Sequence, residues 1–335
     1  MKEAMFYEKR DPPAVQCHLC FHDCTIQDGR RGICGVRENR GGTLYSLVYG
    51  RSISKAIDPI EKKPLFHFMP GTKIFSVATI GCNFKCLHCQ NYDISQAGGG
   101  EIFGEDLPPE RIVHLAKQTQ CDSIAYTYTE PTIYFEYALD TAKLASLEGI
   151  KNVFVTNGYI SPDALRAIEP YLDAANIDLK SLSDDFYKKI CGARLQPVLD
   201  SIRLYRELGI WIEITTLVIP TYNDSEEELR EIARFILELG PEVPWHISQY
   251  YPTYKLNDQA RTPVETLLKA RQIGVDMGLR YVYVGNVPAG EGENTYCYRC
   301  GNLLIGRMGF YLTEYHVKNG KCASCGARTD GVFVM

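Results

Sequence analysis

From Lys73 to Val284 one local pattern repeats so regularly that it limits the fold to two classes. Apolar runs of strand length stand at residues 74–80, 123–128, 152–156, 175–179, 211–219, 244–250 and 281–284. Amphipathic segments of helical length lie between most of them, at 110–118, 133–147, 162–171, 196–208, 225–239 and 263–277. Asp224 and Ser225, followed by Glu226, Glu227 and Glu228, supply a helix cap and the first-turn acids that the helix dipole favours. Repeated βα units with apolar strands imply a parallel sheet buried on both faces, either a βα barrel or a doubly wound sheet. Polar clusters follow three of the strands, at 126–132, 155–159 and 176–180. A barrel places its chemistry at these carboxyl ends. The expectation is therefore an α/β fold, a partial (open) βα barrel, because six or seven strands are too few to close a barrel of eight.

The cysteines divide the chain further. There are 13, and 11 of them fall into three groups. The amino terminus is charged and lacks the apolar stretch of a secretory signal, so a reducing, cytoplasmic setting and metal ligation are expected rather than disulfides. No apolar run is long enough to span a membrane. The net charge of −5 disfavours a general grip on nucleic-acid phosphates. Cys17, Cys20, Cys24 and Cys34, punctuated by Gly29, Gly32 and Gly35, suit a small metal knuckle. Zinc is preferred there over an auxiliary Fe–S cluster, because the spacing differs from the bacterial ferredoxin run. Cys297-x2-Cys300 and Cys322-x2-Cys325 read as a zinc ribbon, with residues 303–305 and 310–313 as its hairpin strands and rubredoxin-type iron as the alternative. The expected divisions are 1–70 for the N-terminal knuckle and connector, 71–288 for the partial barrel, and 289–335 for the C-terminal ribbon-like module. Residues 58–70 read either as a polar loop anchored by Ile60, Leu65, Phe66 and Phe68 or as a lining of the site. Cys121 and Cys191 are isolated, and no chemistry is assigned to them.

The third group stands directly after the strand at 74–80, as Cys82-x3-Cys86-x2-Cys89. Four thiolates close a [4Fe–4S] cluster. Three on one short loop hold three corners and leave one iron open. A zinc site would want a fourth protein ligand and paired knuckles.

This spacing resembles the radical S-adenosylmethionine (radical SAM) superfamily, in which the amine and carboxylate of SAM chelate the open iron. With the polar clusters, it is similar to the enzymes related to pyruvate formate-lyase activating enzyme. That resemblance implies SAM contacts from Glu130, where Tyr128 and Thr129 replace the usual two glycines, from Thr156 and Asn157, and from Asp178 and Lys180. His88 takes a place usually held by an aromatic near the adenine. Val155 stands where the activase carries an acid of a monovalent cation site. Residues 58–65, Gly81 to Phe84, Cys89 to Asn91, 283–288 and the terminal double knuckle resemble one branch, the AmmeMemoRadiSam system radical SAM enzymes. The implied activity is reductive cleavage of SAM to a 5′-deoxyadenosyl radical that abstracts hydrogen from a small-molecule or protein substrate. Its electron comes from an external one-electron reductant of flavodoxin or ferredoxin type. An activase acting on a glycyl-radical partner is the first alternative. A non-enzymatic metal-knuckle adaptor or electron carrier is the alternative of another class.

Overall fold

The structure, a computed structural model, describes residues 1–97, 100–287 and 291–333. Its centre is an eight-stranded sheet: β1 Ser54–Pro59, β2 Lys73–Ala78, β3 Ser123–Tyr126, β4 Lys151–Thr156, β5 Ala174–Asp178, β6 Trp211–Val218, β7 Trp245–Gln249 and β8 Val282–Gly285. The strands lie side by side in chain order. A doubly wound sheet reverses direction at a switch point, and this one does not. β2 to β8 are parallel. β1 and β8 form the two edges and are not paired with each other, so the sheet is open. The helices Pro109–Gln118, Phe135–Leu147, Pro162–Ile168, Leu195–Glu207, Glu226–Leu239 and Val264–Asp276 fill the expected crossovers.

One strand lies where the sequence suggests only a connector. β1 runs antiparallel to β2, from Ser54 opposite Ala78 to Pro59 opposite Lys73. It is an edge strand, largely half-buried or exposed, and its composition is mixed rather than apolar. A run-length criterion tuned to buried strands cannot detect it. Eight strands therefore replace the expected six or seven, and the sheet begins ahead of residue 71. The expected boundary at 288/289 and Pro288 itself lie outside the described residues.

The rest of the connector plugs the amino-terminal end of the sheet. Glu213 on β6 is fully buried and accepts the amides of Phe66 at 3.0 Å and His67 at 2.8 Å. It also meets Trp211 Nε1 at 3.1 Å and His246 Nε2 at 2.7 Å. Asn176 on β5 donates to the Pro64 carbonyl. Phe66 packs on His246 and Tyr283, with ring centroids 4.8 and 4.7 Å apart. The C-terminal module closes over this plug. Arg307 donates to the Phe66 carbonyl at 2.8 Å, and its guanidinium lies 4.2 Å from the Phe66 ring. That module is a three-stranded sheet of Thr295–Tyr296, Leu303–Met308 and Tyr311–Tyr315, beside the small hairpin Val317–Lys318 and Lys321–Cys322. Two small antiparallel sheets form the N-terminal module, one from Tyr7–Lys9, Val15–Cys17 and Cys24–Ile26, the other from Lys2–Glu3, Arg37–Arg40 and Thr43–Ser46.

His67 sits between plug and module, joined to Tyr283 Oη at 2.6 Å and the Asp330 carbonyl at 2.7 Å. Burial lowers its pKa from 6.5 to about 4. Between those values the unfolded chain binds a proton that the folded chain refuses, so this stabilisation is complete above pH 6.5 and is lost as pH falls toward 4. The loss should reach about 3 kcal/mol at 1.36 kcal/mol per pKa unit. Denaturant melts at several pH values should show a shallower acid slope for His67→Gln than for the native chain, and equal slopes would contradict the assignment.

Candidate active site

The chemistry-bearing loop begins where β2 ends. Gly81 has φ +92, and a Cβ there would lie 2.7 Å from Val36 Cγ1 and 2.8 Å from the Cys34 carbonyl. Only glycine fits between the strand and the N-terminal module. Its amide donates to the Ile94 carbonyl. The Cys82 sulfur accepts the Phe84 amide at 3.3 Å, and the Cys89 sulfur lies 3.1 Å from the Ser95 hydroxyl. Lys85 and Leu87 donate their amides to the carbonyls of Cys191 and Ile190, which pins both flanks of Cys86. Asn157 donates to the Asn83 side chain at 2.8 Å, and Asn83 in turn holds the Tyr159 carbonyl. The loop is thus held by several separate chain segments.

Its three thiols have different surroundings. Burial and the nearby Glu130 charge push Cys82 up, and burial pushes Cys89 up. Cys86 is lowered by a hydrogen bond from Cys191 and by the Lys180 ammonium. Cys191, isolated in sequence, therefore belongs beside Cys86. It sits on the π-helical turn Tyr187–Cys191 and is fully buried. Its backbone pairing with Lys85 holds it against the Cys86 segment.

The remaining expected residues converge from three strand ends. Glu130 is buried at 2% exposure. Its Oε1 accepts Thr132 N at 3.0 Å, Thr132 Oγ1 at 2.6 Å and Thr156 Oγ1 at 2.7 Å. Its Oε2 accepts the Asn157 amide at 2.8 Å. The carboxylate thus ties the loop after β3 to the loop after β4 and caps the 3-10 turn Pro131–Tyr134. Burial raises its pKa against those donors. A carboxylate offers about four acceptor directions, and Oε2 keeps one of its two free. Asp178 and Lys180 form an ion pair of 2.8 Å at the end of β5. Burial opposes the Lys180 charge, but Asp178 and the neighbouring thiols raise its pKa. His88 is buried, its Nδ1 has no protein partner, and burial lowers its pKa to about 3.

Tyr128 adopts the left-handed backbone that glycine favours, at φ +63. A bulky residue in this region costs about 1–3 kcal/mol. Its hydroxyl donates to Asp58 Oδ2 at 2.7 Å, and Lys63 Nζ lies 2.7 Å from the same oxygen and 4.4 Å from the Tyr128 ring centroid. Asp58 lies on β1 opposite Ile74 and Lys63 follows in the connector, so Tyr128 reaches from the site loop toward the plug. Burial opposes ionisation of Asp58, yet Lys62, Lys63 and Tyr128 hold its carboxyl below the usual range.

The other two cysteine groups differ from each other. Cys297 and Cys325 approach to 3.7 Å and Cys300 and Cys322 to 3.8 Å, and all four sulfurs lie within 4.8 Å of one another. Tetrahedral bonds of about 2.3 Å to one ion require separations of this size. Among the described residues, this is the set of metal-ligand atoms that converges so tightly. Cys17, Cys20, Cys24 and Cys34 instead stand around a cavity.

Comparison with known proteins agrees with this arrangement. The profile of the radical SAM superfamily matches residues 76–236. A putative glycyl-radical enzyme activating enzyme of Methanocaldococcus jannaschii is 30% identical over 205 residues, 60% of this chain and 76% of that one. The chain belongs to the radical SAM superfamily. An uncharacterized protein of the same organism is 50% identical over 336 residues, 99% of this chain and all of the relative. A radical SAM methyltransferase from Sphaerobacter thermophilus superposes with TM-score 0.52 at 15% identity, over 68% of this chain and 71% of that one, a likeness of fold alone. Membership of this superfamily implies a [4Fe–4S] cluster and SAM. The residues present suit both: three gathered thiols with an amide and a hydroxyl donor to their sulfurs, and a buried imidazole nitrogen without a protein partner.

Gly81→Ala should cost about 1–3 kcal/mol from the left-handed backbone alone, with a further cost because Cys34 O and Val36 cannot withdraw. Thermal melts and iron analysis of reconstituted protein check this together. A native melting temperature with a full iron content would show that the loop does not need the glycine.

Proposed function

We propose that this protein is a radical SAM enzyme whose cluster is held by Cys82, Cys86 and Cys89 and whose SAM lies over the ends of β3, β4 and β5. The observation that carries the reading is the gathering of those three thiols with Glu130, Asn157, Asp178 and Lys180 at one end of an open parallel sheet. When bound, the cluster and SAM together supply one-electron reductive cleavage of the sulfonium and hydrogen-atom abstraction by the resulting radical. The chain positions and insulates. Glu130 fixes the loops after β3 and β4, and its remaining acceptor direction on Oε2 suits the SAM ammonium. The Asp178–Lys180 pair suits the ribose and carboxylate. His88, buried with a free Nδ1, suits the adenine edge. The amide of Phe84 and the hydroxyl of Ser95 stabilise negative charge on sulfur. An external one-electron reductant of flavodoxin or ferredoxin type completes the cycle. The AmmeMemoRadiSam branch is favoured by the connector motif, whose Asp58 and Lys63 meet Tyr128 at the site.

The second reading, activation of a glycyl-radical partner, is favoured by the 30%-identical relative named as such an activating enzyme. The terminal cysteine set is proposed to hold zinc, a closed structural ion that steadies the module carrying Arg307.

Anaerobic reconstitution with SAM and dithionite should release 5′-deoxyadenosine. A folded, iron-replete chain that leaves SAM intact would overturn the reading. Glu130→Gln removes a charged acceptor, worth about 1.5–3 kcal/mol, and should weaken SAM binding roughly tenfold to a hundredfold. A lower melting temperature with unaltered SAM affinity would confine Glu130 to capping. Cys322→Ala should release about one zinc per chain, and metal analysis finding iron there would overturn the zinc assignment.

A further inference from the structure

We propose that Cys17, Cys20, Cys24 and Cys34 hold a second iron–sulfur cluster of the four-iron class, not zinc. The chain contains its own standard for a zinc-sized hole. The terminal sulfurs meet at a point, with contacts of 3.7 and 3.8 Å. The N-terminal four do not converge in this way; together with Leu19, Ile26 and Ile133 they stand around a small cavity. A single ion at bonds of about 2.3 Å pulls thiolates together, whereas a cubane of iron and sulfide keeps them apart. Cys82, Cys86 and Cys89, the ligands assigned to a four-iron cluster, likewise lie outside the tightly converging set.

Arg37 is a second, independent observation. It lines the same cavity and is 2% exposed. Its terminal nitrogens are used, Nη1 on both oxygens of Glu136 at 3.0 Å and Nη2 on the Met5 carbonyl at 2.7 Å. Its Nε–H is buried and has no protein partner. An orphaned donor of this kind costs about 1–3 kcal/mol unless something accepts from it. Thiolate or sulfide sulfur in the cavity is such an acceptor.

The pocket also shares a wall with the active-site loop. Thr132 and Ile133, two and three residues after Glu130, line it. The Cys34 carbonyl faces Gly81, and His22 Nε2 meets the Asn83 carbonyl at 2.7 Å. Two clusters would therefore sit on opposite sides of one layer of chain.

The test separates the two sites. Cys82, Cys86 and Cys89 are changed together to Ala, and the chain is reconstituted anaerobically with iron and sulfide. It should keep about four irons and four sulfides per chain, as a four-thiolate cluster requires. Their EPR signal should not move when SAM is added. The Cys20→Ala, Cys24→Ala chain should keep about four irons whose signal does move. A folded triple variant without iron, whether it carries extra zinc or none, overturns the proposal. If the triple variant does not fold, the native chain decides: about eight irons support a second cluster and about four exclude it. A SAM-insensitive native chain whose triple variant still holds four irons would leave the second cluster standing and sink only the SAM reading.

Discussion

Buried thiolates need hydrogen-bond donors, positive charge or a metal beside them, and the loop after β2 is arranged around that need. Burial raises the thiols of Cys20, Cys24, Cys34, Cys82 and Cys89, because a charged sulfur loses more on leaving water than a neutral one. A metal centre reverses the balance, since coordination makes the deprotonated form the stable one. The protein adds what it can locally: an amide at Cys82, a hydroxyl at Cys89, and Cys191 with Lys180 beside Cys86. Gly81 permits the whole assembly by letting the N-terminal module press against the loop without a side chain between them.

Stability and chemistry occupy opposite ends of the sheet. At the amino-terminal end Glu213 collects two backbone amides, an indole and an imidazole, so the plug at Pro64 to His67 cannot slide without leaving a buried charge unpaired. Arg307 then fastens the C-terminal module over Phe66. At the carboxyl ends structural and chemical roles meet most closely at Glu130, where one side chain carries both. Its four hydrogen bonds make two loops into one unit, and whatever binds there meets a preformed surface. Tyr128 shows the same economy: its left-handed backbone turns the loop after β3, while its side chain reaches the Asp58–Lys63 pair.

The sequence by itself determined the alternation of strands and helices, the three cysteine groups and the polar ends of the strands. Each depends on spacings of a few residues, which local physics reads directly. Residues 74–80 are mostly apolar because their strand is covered on both faces, and each terminal pair is separated by two residues on one tight turn, which brings its sulfurs together. Tertiary structure alone decided the rest. β1 leaves no apolar run in the sequence because an edge strand need not be apolar. Cys191 joined Cys86, Glu136 joined Arg37, and Glu130 joined Asn157, all by contacts between residues 27 or more positions apart that leave no periodic trace. Two groups of four cysteines read alike in sequence. One closes on a point and the other opens around a cavity, because the first lies on two facing tight turns and the second is spread along a hairpin and a separate loop whose partners the rest of the chain supplies.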